Sequence, residues 1–215
     1  MVTKLFVEGG GHGRRQNMQL RRAMSELLRN AGLAGCMPRV VASGNRQNTI
    51  DDYGRAKKDG DEALVLVDSE QSVPPQYCGS AAGAFDPWGF LSSLGMKVPP
   101  HRSNPDCHLM VECMENWFVA DWGVVQRHFR CGQQPPGSAT AIEQIPKANV
   151  LEALDGAAGQ RGYDKTGDGF SLLQKLNPAK VAAASPWAKR FFDELRKRCA
   201  NRKGCRGHPP GGRRP

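Results

Sequence analysis

The stretch Ala63-Leu64-Val65-Leu66-Val67, followed directly by Asp68-Ser69-Glu70, decides the fold of this chain. Five consecutive apolar residues between charged neighbours predict a short β-strand. An unbroken apolar run, without the alternation of a half-exposed strand, is typical of a strand covered on both faces, as in a parallel sheet between helices. The two acids that follow would then lie at the carboxyl end of this strand.

The first half of the sequence alternates between strand and helix patterns. Three further strands are predicted at residues 4–7, 39–42 and 107–111. Helical segments are predicted at residues 20–31, 47–59, 88–94, 115–128, 142–154, 170–176 and 187–199. This order predicts an α/β fold, with a Rossmann-like, mainly parallel sheet covered by helices on both faces and a helical C-terminal region.

The chain divides into three parts by pattern and charge. We expect an α/β core at residues 1–130, a helical region packed on it at 131–200, and a basic, disordered tail at 201–215. The formal net charge is +9, and ten basic but only two acidic residues follow from Lys189 onward. This charged end either keeps the protein soluble or attracts a polyanion such as nucleic acid.

Composition points to a cytoplasmic protein without a membrane partner. No apolar run approaches the roughly 20 residues that a membrane span needs, and the first residues lack the apolar stretch of a signal peptide. The seven cysteines include no Cys-x-x-Cys pair. We therefore expect reduced thiols rather than a disulfide framework.

Acids follow three of the four predicted strands. Glu8 follows the first strand, Asp68 and Glu70 the third, and Glu112 and Glu115 the fourth. The carboxyl ends of parallel strands share one edge of a sheet, where ligands bind. Carboxylates at that edge are suited to Mg²⁺ or Mn²⁺ and to chemistry on phosphate. Taken singly, each acid also has an ordinary structural role as an ion-pair, turn or capping residue, and for Glu112 the opposite face of its strand is an alternative position.

Two weaker candidates lie outside this set of acids. Arg46 follows the second strand and is a candidate phosphate ligand. Asp121 lies six residues after Glu115, about 120° away around an ideal helix, so it need not face the same site. The glycines from Gly9 to Gly11 lack the Gly-Lys-Ser/Thr ending of a phosphate-binding loop, and a flexible turn explains them better.

Three motifs together resemble a known family. They are Val7-Glu8-Gly9-Gly10, Leu66-Val67-Asp68-Ser69-Glu70 and the segment from Leu109 to Asp121, which contains Met-Glu-x-Trp-Phe-x-x-Asp. With Tyr163-Asp164-Lys165 and the stretch from Leu172 to Ser185, they resemble a small bacterial domain-of-unknown-function family, DUF4276, that is related to Toprim and OLD-type nuclease domains. The resemblance runs from about Leu5 to Leu195 and leaves out the basic tail.

The resemblance implies a Toprim-like Mg²⁺ site. Glu8 would be its first acid, and Asp68 and Glu70 its metal-binding pair, with Glu115 as a further ligand or a base that positions water. Toprim domains have Asp-x-Asp where this chain has Asp68-Ser69-Glu70, so the number of metal ions stays open. Lys165 would match an active-site lysine and bind or stabilise a phosphate. Relatives of this kind also resemble effectors of anti-phage defence encoded beside ABC-type or AAA ATPases.

Three functions therefore stay open at the level of sequence. The first is a Mg²⁺-dependent nuclease that cleaves DNA or RNA as an effector with a partner ATPase. The second is a noncatalytic subunit that docks on such an ATPase, and the third is an enzyme that acts on small nucleotides. An extended positive surface favours a polymer over a small nucleotide. The sequence leaves the oligomeric state open.

Overall fold

A single parallel sheet forms the centre of the protein in a computed structural model that describes residues 2–11, 13–79 and 85–204. Within these residues the strands follow the order β2-β1-β3-β4 and all neighbours are parallel. The strands are β1 (Lys4–Val7), β2 (Arg39–Ala42), β3 (Ala63–Asp68) and β4 (Cys107–Met110). The predicted parallel sheet is confirmed, and the strand bounds agree with the prediction to within one residue.

Strand β3 lies inside the sheet and is buried along its whole length. Its side chains alternate between two hydrophobic clusters, one on each face of the sheet. Leu64 and Leu66 belong to the first cluster, and Val65 and Val67 to the second. The continuous apolar run is thus explained by helices on both faces, as predicted.

The helices divide between the two faces. In chain order they are α1 (Arg14–Leu28), α2 (Arg46–Lys58), α3 (Pro87–Ser93), α4 (Asn116–Val119), α5 (Trp122–Phe129), α6 (Lys147–Ala158), α7 (Gly167–Leu173), α8 (Pro178–Ala184) and α9 (Pro186–Gly204). Helices α2 and α3 contribute to the second cluster. Helix α1 and the helices after residue 115 contribute mainly to the first cluster, so the C-terminal region shares one core with the sheet.

The structure corrects three helix predictions. The helix expected at 115–128 is two helices, because the backbone at Asp121 leaves the helical region with φ −135° and ψ 52°. The 120° spacing between Glu115 and Asp121 therefore does not apply. The helix expected at 142–154 begins at Lys147, after Pro146, and α8 was not predicted.

The basic C-terminal segment is largely a packed helix. Helix α9 continues to Gly204, four residues into the expected tail, and residues 205–215 lie outside the described part of the chain. Arg190 donates to the carbonyl oxygens of Asn104 and Cys107, and Arg198 binds the carboxylate of Asp106 at 2.6 Å. Much of the positive charge of this segment therefore fastens α9 to the sheet.

Two of the cysteines are not free. Cys36 and Cys199 form a disulfide that links the turn after α1 to α9, with a Cα–Cα distance of 5.5 Å. The expectation that all thiols are reduced is wrong in this respect, because a pair 163 residues apart in the sequence leaves no signal there. No helix among the described residues combines the length and the apolar character needed to cross a membrane.

Candidate metal centre

Three carboxylates meet at the carboxyl edge of the sheet. Glu8, Asp68 and Glu70 each place one carboxylate oxygen within 4.8 Å of the other two. No other group of three potential metal ligands of this kind occurs in residues 2–11, 13–79 and 85–204. The three side chains come from the ends of the neighbouring strands β1 and β3, which run in the same direction.

The end of β1 holds Glu8 against Asp68. The backbone N–H of Glu8 donates to the carbonyl oxygen of Leu66 at 3.0 Å, which continues the pairing of the two strands. Its Oε2 accepts a hydrogen bond of 3.0 Å from the backbone N–H of Asp68. The Glu8 carboxylate is therefore oriented by the sheet itself rather than by a mobile side chain.

The turn from Asp68 to Glu70 is fixed by the end of β4. Glu70 has a left-handed backbone with φ 64°, and its N–H donates to the carbonyl oxygen of Glu112 at 2.9 Å. Glu112 shares the same φ of 64°, and its N–H donates to Oγ of Ser69 at 2.7 Å. Left-handed backbone at residues other than glycine persists only where the surroundings impose it. This turn aims Glu70 back towards Glu8.

Arg46, the first residue of α2, braces the same turn. Its Nη1 donates to the carbonyl oxygens of Asp68 and Ser69 at 3.2 and 3.1 Å. The guanidinium also lies close enough to Glu8 to lower the pKa of that carboxyl, against the effect of burial. The role found for Arg46 is thus to position the carboxylates, and phosphate binding by Arg46 stays a prediction.

Burial and repulsion from neighbouring carboxylates make Glu8 and Asp68 costly to ionise. Burial, followed by the charges of Glu8 and Glu115, raises the pKa of Asp68 well above its ordinary value. Burial is also the largest cause that raises the pKa of Glu8 to about 7. Oδ1 of Asp68 is buried and has no hydrogen-bond partner among the residues that the structure describes. A group of this kind is stabilised by a bound cation.

One lysine beside the three-carboxylate group was not a candidate in the sequence. Lys147, the first residue of α6, forms an ion pair with Glu70, and its backbone N–H donates to Oε2 of Glu112 at 3.1 Å. Glu112 thus caps α6 and is not part of the three-carboxylate group. No sequence motif surrounds Lys147, and the packing of α6 alone places it beside Glu70.

Glu115 lies behind the cluster. It is fully buried and outside the three-carboxylate group. Its Oε1 accepts a hydrogen bond of 3.2 Å from the Tyr163 hydroxyl and lies 3.8 Å from Nζ of Lys165. Burial opposes the charge on Lys165, but the carboxylates of Glu115 and Asp68 outweigh it and raise the pKa of the lysine. The ammonium of Lys165 therefore stays charged beside Asp68.

A cavity of about 340 Å³ opens over the carboxylates. Glu8, Asp68, Glu70 and Lys165 line it, together with the glycine turn after β1 and Gln16. Gly10 has φ 93°, and a Cβ there would lie 2.2 Å from Oδ1 of Asn17. The glycine turn therefore lies tightly against the start of α1, in a backbone conformation that residues with a side chain rarely adopt.

Asp121 lies elsewhere. Its carboxylate accepts hydrogen bonds from the backbone N–H of Asn177 at 3.1 Å and from Nζ of Lys180 at 2.7 Å. It fastens the start of α8 and is not in the three-carboxylate group.

A larger cavity of about 660 Å³ begins at the opposite, amino end of β4, beside His108 and Arg190, away from the three-carboxylate group.

Comparison with known proteins gives one match. The family model described as "Domain of unknown function (DUF4276)" matches residues 7–196, which include the three carboxylates, Glu115 and Lys165. No curated protein and no solved structure matches the chain.

Proposed function

The chain belongs to the domain-of-unknown-function family DUF4276, and we propose that it is a Mg²⁺-dependent hydrolase of nucleic acid phosphodiester bonds. The observation that carries the proposal is the meeting of Glu8, Asp68 and Glu70 within 4.8 Å in a cavity. The finer relationship to Toprim and OLD-type nucleases is part of the proposal, because it rests on the resemblance of the sequence motifs.

The three residues fit a hard divalent cation. All three offer carboxylate oxygens, which Mg²⁺ and Mn²⁺ prefer. Asp68 brings a buried oxygen that has no hydrogen-bond partner in the described part of the chain, and a bound cation would satisfy it. When bound, the ion would polarise a phosphate oxygen and lower the pKa of a water molecule.

The other residues of the cavity have supporting roles in this proposal. The ammonium of Lys165 lies beside Asp68 and faces the cavity, where it would neutralise charge that develops on a phosphate. Glu115 and Tyr163 hold Lys165 in place from the buried side. Arg46 and Glu112 hold the turn that carries Asp68 and Glu70.

The biological setting is a further part of the proposal. From the resemblance, the protein would act as an anti-phage effector whose cleavage is restrained by an ABC-type or AAA ATPase. The alternative is a noncatalytic subunit that uses the same surface to dock on the ATPase. A buried Asp68 with two further carboxylates close to it favours an enzyme, since docking alone does not require this arrangement.

The test is cleavage by the purified full-length chain. We would incubate it with Mg²⁺, Mn²⁺ or EDTA and with tRNA, plasmid, single-stranded DNA and free nucleotides. Asp68→Asn and Glu8→Gln would each be expected to abolish cleavage, because each removes a metal-binding charge. Glu152→Gln, an exposed acid on α6, is the matched control and should cleave as the wild type does.

The outcomes separate the three functions. Metal-dependent loss of a polymer substrate in the wild type and in the control, but not in Asp68→Asn, supports the nuclease. Hydrolysis of free nucleotides alone points to the small-molecule enzyme. Inactivity of the wild type with and without the partner ATPase, despite normal metal binding, would leave the docking role.

A further inference from the structure

We propose that the outward face of α1 is the surface along which a nucleic acid strand lies when its phosphodiester enters the three-carboxylate group. The inference rests on the proposed function and names its substrate as a polymer. The charge count along the chain assigns the attraction for a polyanion to the C-terminal segment. The proposal assigns it to α1 instead.

Helix α1 collects its arginines on one face. At 100° per residue, its arginines and Met18 fall within a sector of about 120° centred on Met18. All of them are exposed, and the opposite side of the helix is buried in the first hydrophobic cluster. With a rise of 1.5 Å per residue, this basic face is about 22 Å long. The arginines are Arg14, Arg15, Arg21, Arg22 and, just past the end of α1, Arg29.

Most of this charge is not neutralised within the described residues. Arg29 forms an ion pair with Glu26, the one acid of the helix. The other four arginines form no ion pair in the described part of the chain, where the basic residues of α9 have several. An unneutralised row of arginines raises the local concentration of a polyanion.

The basic face begins at the amino-terminal turn of α1, which is the end of the helix that borders the cavity. The glycine turn that lines the cavity leads directly into α1, and Gln16 of the first turn lines the same cavity as Glu8. Arg14 and Arg15 precede Gln16 in the same turn of α1 and are exposed to solvent. Positive side chains at the amino end of a helix oppose its dipole, so they do not stabilise α1. Their location instead suits a phosphate chain that approaches the cavity.

A nucleic acid fits this surface better than a membrane does. A helix that lies in a bilayer surface needs an exposed apolar face beside its basic one. The apolar side of α1 is buried in the core. Met18, with 58% of its surface exposed, is the only large apolar side chain exposed on this helix. A phosphodiester backbone requires charge along its length and little apolar area. DNA and RNA share this chemistry.

The experiment measures binding separately from cleavage. Fluorescence anisotropy in EDTA would follow labelled single-stranded RNA, single-stranded DNA and duplex DNA on the full-length chain. Arg14→Glu/Arg21→Glu should weaken binding by at least about tenfold and reduce the salt slope by about 1.4, since each lost phosphate contact on a single strand removes about 0.7. The matched control, Lys58→Glu/Arg102→Glu, reverses two exposed charges on the α2 side and should bind nearly as the wild type does.

Each result bears on one proposal. Equal binding by the α1 variant and the wild type, an equal loss in the control variant, or binding of the wild type only to phosphatidylserine vesicles would overturn the basic-face proposal. Asp68→Asn should keep binding but lose cleavage. If the α1 variant loses binding while no variant or wild type cleaves anything, the surface stands and the proposed nuclease fails. Circular dichroism would confirm that the exposed substitutions leave the fold intact.

Discussion

The backbone N–H of Asp68 donates a hydrogen bond of 3.0 Å to Oε2 of Glu8, although 60 residues separate the two. The bond exists because β1 and β3 are neighbouring parallel strands that end at the same edge. It brings the half-buried Glu8 and the buried Asp68 together and orients the first towards the second. The fold thus stabilises an arrangement that repulsion between carboxylates opposes, as expected of a functional site rather than of a stabilising one.

The first prediction concerns metal binding and stability. Mg²⁺ or Mn²⁺ should raise the melting temperature of the wild type, because a ligand that binds the folded state alone stabilises it. Asp68→Asn should abolish this rise. In EDTA at pH 8, the same variant should melt at or above the wild-type temperature, because it removes a buried charge that Glu8 and Glu115 repel.

Differential scanning fluorimetry with and without metal checks this prediction. Glu152→Gln should respond to metal as the wild type does. A rise in Asp68→Asn as large as that in the wild type would show that the cation binds elsewhere.

The second prediction concerns pH in the metal-free protein. The pKa of Glu8 is about 7 in the folded protein against an ordinary value of 4.5. Between these two values the folded state binds more protons than the unfolded state, so stability must fall as pH rises. In EDTA, the melting temperature should therefore decline by a few degrees from pH 5 to pH 8, and the decline should end above pH 7.

Glu8→Gln isolates this contribution, because its side chain does not titrate. The difference between the wild-type and variant melting curves should change through the window from pH 4.5 to 7. Parallel curves over that range would mean that Glu8 is already ionised well below neutral pH.

The sequence was sufficient for the central part of the fold and for the edge where the acids meet. The apolar run before Asp68 predicts a doubly covered strand, and parallel strands necessarily bring their carboxyl ends together. The position of Lys147 and the role of Tyr163 were beyond such reasoning, because the packing of the C-terminal helices, rather than strand order, brings them to Glu70 and Glu115. The break in the helix at Asp121 was missed for a related reason, because the Asp121 carboxylate binds the backbone N–H of Asn177 just before α8.

The location of the accessible positive charge was also not predictable from the sequence alone. A count along the chain assigns the positive charge to the C-terminal segment, but Arg190 and Arg198 make their contacts inside the protein. The arginines of α1 gave no prediction, because the sequence pattern began the first helix at residue 20 and left Arg14 and Arg15 outside it. They became informative only once the opposite side of α1 was seen to be buried.

The third prediction concerns the disulfide between Cys36 and Cys199. The bond closes a loop of 163 residues and thereby restricts the unfolded chain. Under oxidising conditions, Cys199→Ser should lower the free energy of unfolding by about 2–5 kcal/mol, measured by urea denaturation. Dithiothreitol should lower the stability of the wild type by a similar amount and leave that of Cys199→Ser unchanged. Cys131→Ser, which removes a half-buried free thiol, is the control. If oxidised wild type and Cys199→Ser unfold at the same urea concentration, the bond does not form in solution.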